Sequence, residues 1–88
     1  MIRPDSRPRL RRGVRLTYDR VRETHVLLFP EGVLVPNPTA AAVLELCDGE
    51  STVEQIVAAL AKRYQGVRDA DVTGVLDRFG ERRVVEWT

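Results

Sequence analysis

From Val53 onward the apolar residues Val53, Ile56, Val57, Leu60 and Tyr64 recur at the spacing of a helix with one buried side. Ser51-Thr52-Val53-Glu54 stands at its head and reads as a capping box, in which a hydroxyl and a carboxylate each satisfy one orphan backbone group. A shorter helix precedes it, with Asn37 as cap, Pro38 at the first helical position and Val43, Leu44, Leu46 and Cys47 on its apolar side. Asp48-Gly49 ends that helix, glycine supplying the positive φ common at helix C-termini. A third helix follows, capped by Asp69 or Asp71, with Val72, Val75, Leu76 and Phe79 as its buried stripe. Gly74 and Gly80 each weaken it by about 1 kcal/mol relative to alanine.

Upstream the period shortens. Arg15–Asp19 alternates as a half-buried strand, His25–Phe29 is a continuous apolar run suited to a central strand covered on both faces, and Val33–Val35 is a third short strand. Pro30-Glu31-Gly32 turns the second strand into the third, and Pro36 ends the third. Short connections favour an antiparallel meander with the third strand at an edge. The expected fold is α+β: a three-stranded antiparallel sheet followed by three helices, of winged helix–turn–helix type. Residues 1–12 show no periodicity and read as an extended basic arm, dispensable for folding, leaving 13–88 as a single domain. Val84–Trp87 is a short terminal strand-like segment, with Trp87 placed to plug the end of a small core.

Composition adds limits. Of 88 residues, 43% are hydrophobic and 31% charged, as in a water-soluble domain near the lower size limit for its own core. No apolar run approaches the roughly 20 residues that span a bilayer, so a cytoplasmic location is expected. One cysteine excludes an internal disulfide, and Cys47, on an apolar helix side, reads as a buried hydrophobe.

The net charge of +1 hides an asymmetry. Residues 1–22 hold eight arginines against Asp5 and Asp19, and the rest of the chain carries a net −5. Such an arm suits nucleic acid, an acidic partner, or the body's own acidic surface.

Signals for catalysis are lacking. The glycines are scattered, Lys62 is the one lysine, and His25 is the one histidine, with no specific partner in view. No cofactor or metal site is expected, and the chain does not read as an enzyme. DNA is a weaker reading: the end of the third helix that would enter a groove carries Asp69 and Asp71, so only the arm could neutralise phosphates. The edge strand offers a different use, since its unpaired backbone groups can take up an extended peptide beside the third helix.

The stretches RPRLRRGVRL at 7–16 and VLLFPEGVLVPNPTAAAVLELCDGESTVEQIVAAL at 26–60 resemble the PqqD family of pyrroloquinoline quinone (PQQ) biosynthesis. The match rests on Gly13-Val14-Arg15-Leu16, the Pro30-Glu31 turn, Asn37-x-Thr39-Ala40, Cys47-Asp48-Gly49 and Thr52-Val53-x-x-Ile56-Val57, in that order. The resemblance implies a peptide chaperone without cofactor that binds the ribosomally made precursor PqqA and presents it to the radical SAM enzyme PqqE. Its peptide joins as a strand beside the third strand, which here implies Val33, Leu34 and Val35, with Val75, Leu76, Phe79 and Arg82 from the last helix. A monomer or a homodimer is compatible with that role. Family members often carry Lys-Gly-Leu after the last helix; Arg82-Arg83-Val84 lacks the glycine, so a different helix end is expected here.

Overall fold

Five strands and three helices follow one another along residues 2–88, the residues described in the computed structural model. They are β1 (Pro8–Leu10), β2 (Arg15–Asp19), β3 (Thr24–Phe29), β4 (Gly32–Leu34), α1 (Pro38–Glu45), α2 (Val53–Arg63), α3 (Asp69–Glu81) and β5 (Val85–Trp87). Strands β2, β3 and β4 form the expected antiparallel meander, with β4 at an edge. The register sets Leu16 and Leu34 on either side of Leu27, which is wholly buried beneath the helices. Arg15, Leu28 and Val33 form the neighbouring row on the opposite face. Coverage of β3 on both faces holds only in part: Val26 is buried, but Leu28 is 37% exposed because no helix layer covers that side.

The caps explain where the helices begin. The Asn37 side chain accepts from the Ala40 N–H at 2.8 Å and Pro38 opens α1, as the sequence predicts. α1 ends at Glu45, so Cys47 lies just beyond it, buried, its thiol donating to the Val43 carbonyl. Gly49 then turns the chain at φ 80°. The capping box of α2 falls one residue later than expected, on Thr52 and Gln55. The cause is Asp48, whose carboxylate accepts the Glu50 and Ser51 N–H groups at 2.9 and 2.8 Å and so draws Ser51 into the turn. Thr52 accepts from the Gln55 N–H at 3.1 Å, and Gln55 accepts in return from the Thr52 N–H at 2.8 Å. Arg68 stands at the N-cap of α3, and Asp71 accepts its N–H at 3.0 Å. Tyr64, expected in the buried stripe, leaves the helix at its C-cap and is 45% exposed.

The basic segment behaves differently from a free arm. It is extended but packed: Ile2, Ser6 and Pro8 are buried, and β1 pairs with β5 in a second, two-stranded sheet. The first two N–H groups of α2, on Val53 and Glu54, donate to the carbonyls of Ser6 and Pro4 at 2.9 and 3.0 Å. Residues 2–12 thus satisfy part of a helix end and cover part of the core. Met1 lies outside the described residues.

Where a glycine was missed after α3, the backbone keeps a left-handed turn. Arg83 adopts φ 60°. Its N–H donates to the Gly80 carbonyl, and the Val84 N–H to that of Phe79 at 2.9 Å, the paired bonds of a Schellman ending. Arg83 thus takes the position that glycine commonly fills in such an ending. α1, α2 and α3 enclose Val43, Leu44, Ile56, Leu60, Val72 and Leu76 against Leu27, a winged-helix-like α+β arrangement. Among the described residues no helix is long and apolar enough to cross a membrane.

Candidate functional site

The exposed edge of β4 is set by its hairpin. β3 and β4 are joined by Pro30-Glu31 alone, so the closing pair Phe29–Gly32 exchanges the ladder's hydrogen bonds. Alternation then makes Leu28–Val33 the non-bonded pair and Leu27–Leu34 the next bonded one. The N–H and C=O of Val33 consequently point away from β3, toward open solvent, while those of Leu34 face Leu27. The Val33 side chain is 61% exposed and that of Val35 is 51% exposed.

Beside this edge lies a cleft of about 210 Å³ between the β4–α1 connection and the C-terminal half of α3. Leu34, Val35, Pro36, Asn37, Ala40, Arg78, Phe79 and Arg82 line it. Four residues expected at a peptide site (Leu34, Val35, Phe79 and Arg82) are therefore brought together, with Val33 on the adjoining edge. Val75 lines a neighbouring cleft of about 530 Å³ that runs between α1 and the α2–α3 connection, past Leu60, Tyr64 and Val67. Leu76 lines neither, being wholly buried in the core. Arg78, which the sequence reading passed over, lines both clefts and stands where they meet. The signal was present: Arg78 and Arg82 are four residues apart, hence on one side of the helix.

Charge is distributed unevenly around the site. Among the described residues neither Arg78 nor Arg82 has a carboxylate within 4.0 Å, and both are exposed. Several arginines of the N-terminal segment are, by contrast, engaged. Arg9 meets Glu86 at 2.6 Å, Arg11 meets it at 3.6 Å, and Arg7 donates to the Glu50 carbonyl. Of the three roles open to the basic segment, docking on the body's own surface is the one these contacts display.

Two further groups bear on chemistry. His25 finds a partner the sequence did not reveal, the Glu45 carboxylate at 2.8 Å, with the Tyr18 ring edge-on at 5.2 Å. This contact ties β3 to α1. Burial, reinforced by the nearby Asp48 charge, pushes the Cys47 thiol up to about 12, which leaves it protonated and inert at ordinary pH.

The family model of Coenzyme PQQ synthesis protein D (PqqD) matches residues 24–85. The chain belongs to the PqqD family. It is 45% identical over 71 residues to the PqqA binding protein of Bradyrhizobium diazoefficiens, covering 81% of this chain and 69% of that one. It is 43% identical over 75 residues to the PqqA binding protein of Pseudomonas aeruginosa, with 83% and 82% covered. A bifunctional coenzyme PQQ synthesis protein C/D from Methylorubrum extorquens is 44% identical over 82 residues; the match spans 90% of this chain but 22% of that protein. The solution structure of the PqqD truncation of Methylobacterium extorquens PqqCD, described as a stand-alone recognition element for ribosomally made, modified peptides, superposes with a TM-score of 0.75 at 44% identity, covering 90% of this chain and 87% of that one. The heterocyclase TruD shares only the fold, at 20% identity and a TM-score of 0.71 over 94% of this chain and 12% of TruD. The resemblance seen in residues 7–16 and 26–60 is thus to the family the chain belongs to, and PqqD relatives carry the same winged-helix-like architecture.

Proposed function

We propose that this PqqD-family protein is a non-catalytic chaperone that binds the precursor peptide PqqA as an added strand along β4 and presents it to PqqE. The carrying observation is the outward-facing Val33 backbone beside the cleft of Leu34, Val35, Phe79 and Arg82. An extended peptide can pair with that backbone while every second side chain enters the cleft, so main-chain bonds supply affinity and the cleft sets register. Relatives named PqqA binding proteins, 43–45% identical, support the choice of ligand. A bound strand would keep one side of the peptide exposed, as delivery to an enzyme requires. Duplex DNA is disfavoured because Arg7, Arg9 and Arg11 are already engaged by the body.

Titrating isotope-labelled protein with synthetic PqqA tests the reading. Amide shifts should concentrate on residues 32–35 and the C-terminal half of α3, and the peptide-loaded protein should co-elute with PqqE. Shifts confined to residues 2–12, or tight and steeply salt-dependent binding of duplex DNA without any response to PqqA, would replace it with an arm-based function.

A further inference from the structure

We infer that Arg78 and Arg82 form a carboxylate-binding pair, and that the peptide this protein takes carries an acidic side chain on the face turned toward α3. The inference rests on the strand-addition reading and specifies the ligand chemistry at the same cleft.

The two guanidiniums lie one helical turn apart, with roughly 5–6 Å between Cβ atoms, close enough to converge on a single carboxylate. They flank Phe79, which is buried, so the ion pair would form against an apolar floor where attraction exceeds that in open water. The helix also carries acids. Asp71 lies on the same row two turns earlier, about 10 Å away along the axis, where it accepts the Arg68 N–H and lines the neighbouring cleft. Asp77 and Glu81 each directly precede an arginine, about 100° round the helix from it, and neither lines this cleft. No acidic residue lines the cleft, and the Asn37 oxygen is already taken by the Ala40 N–H. Two exposed cations without a carboxylate partner, beside an apolar slot and an open strand edge, are complementary to an extended peptide bearing negative charge.

The test uses the full chain and synthetic PqqA, together with a peptide set in which each Asp and Glu is replaced in turn by Asn or Gln. Arg78→Gln/Arg82→Gln should weaken PqqA binding at least tenfold at low salt without lowering the melting temperature, since both side chains are exposed. One peptide replacement should produce a similar loss against the native protein and little further loss against the double variant. Arg20→Gln, on the distant β2–β3 connection, should leave binding within twofold. The inference is overturned if the double variant binds within twofold of native, if no acidic replacement in the peptide matters, or if Arg20→Gln weakens binding equally. In those cases the strand-addition reading survives, provided Val33→Pro still weakens binding in a folded protein. Failure of PqqA to bind the native protein overturns both.

Discussion

Gly80 faces the Trp87 indole across the end of α3, where a Cβ would stand 2.6 Å from one ring carbon and 2.8 Å from the next. The glycine is therefore a contact surface for β5. Trp87 is also the register partner of Pro8, so the ring's position bears on the β1–β5 sheet.

Gly80→Ala and Gly74→Ala should act with opposite signs. Alanine adds about 1 kcal/mol of helix propensity at either position. At Gly74 nothing lies within 4 Å, so that gain should appear as a raised melting temperature. At Gly80 the indole must move, and overpacking of this kind costs about 1–3 kcal/mol, giving a net loss. Thermal melts of the two variants decide the matter; equal stabilisation would show that the ring shifts freely.

Arg83 holds a left-handed conformation in which a side chain is penalised by about 1 kcal/mol. Arg83→Gly should relieve this strain and, after the greater chain entropy of unfolded glycine (about 0.5–1 kcal/mol) is subtracted, stabilise by up to about 0.5 kcal/mol. Chemical denaturation is the measurement, and a destabilised variant would mean that the Arg83 side chain makes a compensating contact.

Proline scanning of β4 separates folding from binding. Val33→Pro removes an N–H that faces away from β3, so the protein should fold while losing on the order of 1–3 kcal/mol of PqqA affinity. Leu34→Pro removes an N–H committed to Leu27 and should instead lower the melting temperature. Normal folding and normal peptide binding in both would place the ligand elsewhere.

Deleting residues 2–12 should destabilise the domain by at least about 3 kcal/mol. The deletion uncovers core beneath Ile2 and Pro8, removes the partner of β5 and frees two N–H groups of α2. Circular dichroism melts of the truncated chain check this; an unchanged midpoint would make the segment an adornment.

Cys47 should resist thiol reagents in the native protein and react only on unfolding. Its pKa is raised by burial from the ordinary 9.0 to about 12, so the unfolded chain releases its proton first. The associated stability is complete below pH 9.0 and is lost as pH rises toward about 12. Measured labelling rates at pH 8 should therefore track the unfolding equilibrium; rapid labelling of folded protein contradicts the burial.

The helices and the meander were readable because their signals are local: a stripe in α2, Asn37 before Pro38, and the Pro30-Glu31-Gly32 turn signal, of which Gly32 proves to be the first residue of β4. The shift from Ser51 to Thr52 was not, since either hydroxyl can cap and Asp48 decides between them. The role of residues 2–12 was hidden by distance, because Arg9 meets Glu86 across 77 positions and arginine-rich composition masks the buried Ile2, Ser6 and Pro8. At the site, period alone marked Val75, Leu76 and Phe79 as one apolar side, but only packing tells that Phe79 reaches a cleft while Leu76 does not.

The pairing of Pro8 with Trp87 has a mechanical side. Because β1 and β5 run antiparallel near the two ends of the chain, a pull on both ends opens their ladder one rung at a time, beginning at Pro8–Trp87, instead of shearing every rung together. Tension of this kind would first release the Trp87 ring from Gly80 and the basic segment from α2, while the β2–β3–β4 meander, which lies outside the line of force, stayed closed.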